Sequence, residues 1–170
     1  MHTDEFTLPL ADEAATLALG AALAGQVAPG LSVWLEGDLG AGKTTLVRGL
    51  LRALGHLGAV KSPTYTLVEV HVVSGLNLYH FDFYRFNQPE EYLEAGLDEY
   101  FAGQGICLVE WPDRAAPYLP PADLRLVLSV EGQGRLARLV AGSERGLTCL
   151  RALATSPALA GASSRPLPPA

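Results

Sequence analysis

Two cysteines, one methionine and no apolar run long enough to span a bilayer mark what this 170-residue chain lacks. A spanning helix takes about 18 or more consecutive apolar residues, so no membrane segment is expected. Two cysteines build neither a disulfide framework nor a metal site. Cys107 sits inside an apolar stretch and is expected to act as a small core hydrophobe. The acidic start "MHTDEF" lacks the charged and apolar regions of a signal peptide, so a reducing cytoplasm is the expected setting. Positive charge is also scarce. The net charge is −6, and half of the 12 basic side chains lie beyond residue 124, where only Glu131 and Glu144 are acidic. So acidic a body argues against broad nucleic-acid binding. The Arg-bearing end reads either as a solvated face or as an edge that meets a nucleotide or an acidic partner.

What the chain does contain is "GDLGAGKTT" (37–45), a G-x-x-x-x-G-K-T pattern running Gly37, Gly42, Lys43 and Thr44, with Gly40 inside it. Glycine lets successive backbone N–H groups turn inward and cradle phosphates. In this motif the lysine reaches the β- and γ-phosphates and the hydroxyl ligates Mg²⁺. The flanking pattern fits: "LSVWLEG" (31–37) reads as a buried strand and "KTTLVRGLLRALG" (43–55) as a helix closed by Gly55. The helix N-terminus adds partial positive charge where phosphates would sit. The expected nucleotide contacts are Asp38, Leu39, Gly40, Ala41, Gly42, Lys43, Thr44 and Thr45.

Around this motif, residues 6–9 read as a strand and 11–27 as a helix. A loop from residue 60 leads into a hairpin turning at "SGLN" (74–77) and returning through "LYHFDFYRF" (78–86). Residues 88–103 are helical with a break at Gly96; "GICLVEWP" (105–112) is a strand, and 123–130 and 135–142 form a second hairpin. This predicts one α/β P-loop NTPase domain over residues 1–153. Its mixed central sheet is parallel near the loop, antiparallel at the flanks and flanked by helices. The Ala/Pro/Ser-rich stretch 154–170 is expected to be a disordered tail.

Nucleotide hydrolysis needs a metal, a placed water and a sensor for the γ-phosphate. Two carboxylates end strands: "ICLVE" in Glu110 and "LYHFD" in Asp82. Either can hold Mg²⁺ or orient the attacking water, and spacing does not decide which. With Lys43 they form the expected catalytic set. "SPTYT" (62–66) follows the motif helix where switch segments lie, offering Ser62 and Thr64 as hydroxyls near a γ-phosphate, or else a plain turn. Trp111 either caps the core or covers the site. His80 reads as a strand histidine held by a hydrogen bond, and Arg85 pairs with a nearby acid or reaches phosphate.

In order along the chain, "GDLGAGKTT", "VKSPTYTLVE", "YHFDFYR", "PEEYLEAGLDEYF", "ICLVEWP" and "QGR" resemble the TsaE family over residues 6–141. These are small bacterial ATPases required for the threonylcarbamoyladenosine modification of tRNA. The resemblance implies ATP and Mg²⁺ as ligands, Thr44 and Glu110 as metal ligands, Asp82 as a residue needed for hydrolysis, and a functional role for Trp111. Arg135 matches the family's Gly-Arg near the nucleotide edge. The implied partners are TsaD and TsaB, which modify adenosine 37 of tRNAs reading codons that start with A. Contact with tRNA would then be only indirect, through that pair. Phe83 stands where leucine is usual in the family, and the Pro-rich tail has no counterpart.

Two other functions fit a P-loop. A small-metabolite kinase needs cationic lid groups, yet residues 53–113 contain only Lys61 and Arg85. A non-catalytic, nucleotide-gated binding module has no need of both Asp82 and Glu110.

Overall fold

A computed structural model describes residues 5–159. Its strands are β1 (Glu5–Leu10), β2 (Ser32–Glu36), β3 (Val68–Val73), β4 (Leu76–Asp82), β5 (Ile106–Glu110), β6 (Leu124–Glu131) and β7 (Gly134–Ala141). The helices are α1 (Glu13–Ala24), α2 (Lys43–Ala53), α3 (Glu91–Glu94) and α4 (Glu144–Ala154). The strands form one sheet in the order β1-β7-β6-β2-β5-β4-β3. Strands β6, β2, β5 and β4 run parallel, while β7 and β1 on one side and β3 on the other pair antiparallel. The expected mixed sheet is therefore present.

Local chemistry accounts for the turns. Ser74 and Gly75 both have positive φ (52° and 74°), the primed geometry that a two-residue hairpin needs, so β3 returns directly into β4. The Asp12 carboxylate caps α1 by accepting from the Ala15 N–H at 2.9 Å. Strand β4 ends at Asp82, four residues short of the expected Phe86.

The two faces of the sheet carry different cores. Leu8, Val33, Leu35, Leu78, Leu108, Leu124, Leu126 and Leu139 pack with buried residues of α1, α2 and α4. The opposite face buries an aromatic cluster built on Phe81, Phe83, Phe86 and Tyr92 with Cys107 and Val109. Cys107 is the core thiol expected, and burial pushes its pKa up to about 12.

Helix α4 is absent from the sequence-based assignment. Its signals are local: Ser143 accepts from the Gly146 N–H at 3.0 Å, and Leu150 and Leu153 follow on one buried face. The ordered chain also continues past the expected boundary at residue 153. Pro157–Leu159 forms a 3-10 turn, and Leu159, 7% exposed, joins the core of the helical face. Its apolar side chain can leave water there, so the folded domain reaches at least Leu159. Residues 160–170 of the expected tail lie outside the described residues. Leu159→Ala is expected to cost about 2 kcal/mol, a fall in Tm of roughly 4 to 8 °C in thermal unfolding.

Candidate functional site at the glycine-rich loop

The parallel strands β2, β5 and β4 end side by side, and the loop 37–42 carries the chain from β2 into α2. Two glycines are required there. A Cβ on Gly37 (φ 142°) would sit 2.3 Å from the Leu128 carbonyl oxygen, and Gly42 caps α2 at φ 108°. Lys43, at the first position of α2, is 5% exposed. Its ammonium donates to the Gly37 carbonyl and lies 4.0 Å from the centroid of the Trp111 ring. Burial lowers the Lys43 pKa, against the opposing pull of Glu110 and Asp82.

Strand parity places the acids. Glu110 shares its face with Ile106 and Leu108, and Asp82 shares its face with Leu78 and His80, so both point toward the helix-covered side. The register pairs Asp82 with Glu110 across β4 and β5. The two carboxylates, each 3% exposed, then make different contacts. Glu110 Oε2 accepts from Thr44 Oγ1 at 3.3 Å and from His80 Nε2 at 2.6 Å. Asp82 Oδ1 accepts from the Tyr84 N–H at 2.9 Å, while Oδ2 accepts from the Ser62 hydroxyl and from Thr64 Oγ1 at 3.2 Å.

The 62–66 loop is thus tied to Asp82 by both hydroxyls. Leu67, at the end of this loop, has a φ of 70° and accepts from the Asp82 N–H at 3.0 Å. Trp111 packs on the core and also borders the glycine-loop pocket. Its half-buried ring packs against the aromatic cluster and on Tyr84 (4.9 Å), with the Lys43 ammonium 4.0 Å and the Arg114 guanidinium 5.7 Å from its centroid. Its backbone is left-handed (φ 56°), an uncommon conformation for a bulky residue and one that turns the chain sharply after Glu110.

A cavity of about 400 Å³ opens between these groups, lined by Leu39, Gly40, Gly42, Lys43, Thr44, Thr45, Ser62, Thr64, Asp82, Tyr84, Arg85, Glu110 and Trp111. Nearly every expected site residue therefore meets in one place. Asp38 and Ala41 belong to the same loop but not to this lining, and Ala41 is buried in the core. Arg135 lies apart. It lines a second hollow of about 240 Å³ with Asp12, Thr16, Gly40, Thr45 and Gln133. Its guanidinium donates to the carbonyls of Ala41 (3.1 Å), Gly40 (2.9 Å) and Gly134 (2.8 Å), bracing the loop from β7.

Sequence reasoning left Tyr84 out and did not assign Arg85. Arg85, which lines the cavity, donates from Nη2 to the hydroxyl of Tyr65 at 2.9 Å, and Tyr65 is 82% exposed. His80 was expected to be a hydrogen-bonded strand histidine; its partner is Glu110 itself. The available signal was its position two residues before Asp82, on the same strand face.

Fold and site define an α/β protein with a mixed seven-stranded sheet and a polar pocket built on a G-x-x-x-x-G-K-T loop. A family model described as "Threonylcarbamoyl adenosine biosynthesis protein TsaE" matches residues 10–139. A Haemophilus influenzae tRNA threonylcarbamoyladenosine biosynthesis protein TsaE is 45% identical over 72% of this chain and 77% of the relative. A Nostoc sp. protein of the same name is 40% identical over 79% of this chain and 85% of the relative. The crystal structure of YdiB from Bacillus subtilis superposes with a TM-score of 0.77 at 33% identity, covering 90% of this chain and 95% of that one. The chain belongs to the TsaE family.

Proposed function

We propose that this protein is a Mg²⁺-dependent ATPase that acts on a TsaD–TsaB pair in the cytoplasm. The pathway is that of its family, tRNA threonylcarbamoyladenosine biosynthesis. The observation that carries the ATPase reading is the convergence of Lys43, Thr44, Asp82 and Glu110 on one cavity at the N-terminus of α2. Among the described residues no helix is long and apolar enough to cross a membrane.

The donor set suits Mg²⁺. A hydroxyl and a carboxylate oxygen lie 3.3 Å apart at the cavity, and the described residues hold no His/Cys/Asp/Glu cluster able to bind a metal alone. Mg²⁺ keeps several waters and takes one or two protein oxygens plus phosphates, so Thr44 and Glu110 are sufficient. Held by these two residues, Mg²⁺ would supply neutralisation of the phosphate charge during transfer.

The chain's own groups supply the rest. Backbone N–H groups of residues 38–45 cradle the phosphates, and the Lys43 ammonium exchanges its Gly37 carbonyl for phosphate oxygens. Asp82, coupled to Ser62 and Thr64, orients the attacking water and links hydrolysis to the 62–66 loop. Arg135 holds the cradle in shape from outside, and the hollow beside it receives the nucleoside end. Leu39, which lines the cavity, and Tyr65, bonded to the lining residue Arg85, are both exposed and offer the partner a surface next to the nucleotide.

Phosphate release is expected to be slow for the isolated chain and faster with purified TsaD and TsaB. Completion of a P-loop site by a second protein can raise turnover by about 10³-fold or more. Lys43→Ala should weaken ATP binding on the order of 100-fold by calorimetry, because it removes a charge-assisted contact to phosphate. Fast hydrolysis indifferent to the partners would overturn the partner assignment. Wild-type ATP affinity in Lys43→Ala would overturn the site.

A further inference from the structure

His80 is wholly buried, and Nε2 lies 2.6 Å from Glu110 Oε2. Its other nitrogen, Nδ1, is buried with no hydrogen-bond partner. A carboxylate oxygen accepts, so Nε2 donates to Glu110 and Nδ1 is left without a partner. An unsatisfied buried polar atom is destabilising, because it gives up water and gains no partner. A leucine here, facing the same core as Leu78 and Leu108, would avoid that cost. The imidazole is therefore poorly explained as filling.

We propose that His80 is a positioning residue for Glu110, holding its carboxylate beside Thr44 so that it is presented to the metal in the nucleotide pocket. The inference rests on the Mg²⁺–nucleotide reading of that pocket. Oε2 has two donors, the His80 ring and the Thr44 hydroxyl, while Oε1 has none among the described residues. The same bond keeps two opposite charges apart. Lys43 forms no ion pair among the described residues; its ammonium rests on the Gly37 carbonyl and the Trp111 ring. A Glu110 side chain released from His80 is free to turn onto that ammonium, which occupies both the phosphate-binding cation and the metal-binding carboxylate.

The test is the Mg²⁺ dependence of ATP binding, measured by calorimetry across a magnesium series, with thermal unfolding of the nucleotide-free protein alongside. Partners that orient metal ligands typically contribute 10–100-fold in metal affinity. His80→Leu is expected to keep or raise the Tm and to shift the magnesium midpoint upward by about 10-fold or more. His80→Gln, whose amide N–H₂ reaches the Nε2 position, should stay within about 3-fold of wild type, a small fraction of that effect. A wild-type midpoint in His80→Leu overturns the proposal and leaves a packing role. If His80→Leu does not fold, His80→Asn replaces it. Its shorter amide does not reach Oε2, so a midpoint equal to that of His80→Gln overturns the proposal and a higher one supports it. Magnesium-independent or absent ATP binding by the wild type overturns the nucleotide reading itself, and this inference with it.

Discussion

Asp82→Asn is expected to bind ATP within a few-fold of wild type and to release phosphate about 100-fold more slowly, or worse. The substitution keeps the shape of a buried side chain with three donors around it. Its amide oxygen still accepts from the Tyr84 N–H, and the Ser62 and Thr64 hydroxyls can rotate to accept from the new N–H₂ group. What disappears is the negative charge facing the cavity and the capacity to take or align a proton. Binding depends instead on Lys43 and the backbone of the loop, which Asp82 does not touch. Calorimetry and a phosphate-release assay on the same preparation separate the two effects. Unchanged turnover would move the water-orienting role to Glu110, the other carboxylate of the pair.

Gly20→Val is expected to destabilise the protein by about 3 kcal/mol, lowering Tm by roughly 6 to 12 °C. Helices α1 and α2 touch backbone to backbone. A Cβ on Gly20 would lie 2.1 Å from the Leu46 carbonyl oxygen, and one on Gly49 would lie 2.3 Å from the Leu17 carbonyl oxygen. Neither oxygen can move without moving its helix. The displaced helix begins with Lys43 and Thr44, so ATP affinity should fall along with stability. Gly25→Ala is the control at the end of α1. It has φ −71° and a nearest contact of 3.5 Å, and its Tm should stay within about 2 °C of wild type. An unchanged Tm in Gly20→Val would show that the helices pack less closely than this.

The loop 37–45, the strands on either side of the site and the two hairpins were legible because each signal lies within a short window. A glycine pattern, a run of alternating or continuous apolar residues and a two-residue turn depend on neighbours in the chain. The antiparallel β3–β4 and β6–β7 pairs followed from connections too short for a crossover, whereas the pairing of β1 with β7 joins opposite ends of the domain and carries no local signal. Helix α4 was equally local and was missed, although Ser143 and the spacing of Leu150 and Leu153 announce it. Leu159 was hidden by its surroundings, since one apolar residue in an Ala/Pro/Ser-rich stretch carries no period.

By itself, the sequence determined that a glycine-rich G-x-x-x-x-G-K-T loop opens a helix, that Asp82 and Glu110 end strands, and that the central strands are apolar enough to be covered on both faces. Only the tertiary structure decided how these parts divide the work. Thr44 meets Glu110 across 66 residues of chain, His80 meets it across 30, and Ser62 meets Asp82 across 20. Arg135 reaches back 95 residues to the Gly40 carbonyl. Such contacts depend on strand order and register, and a slip of one residue turns every side chain to the other face. The sheet's register sets Asp82 beside Glu110 and His80 behind it, because burial of Leu78 on β4 and of Ile106 and Leu108 on β5 holds both strands in place.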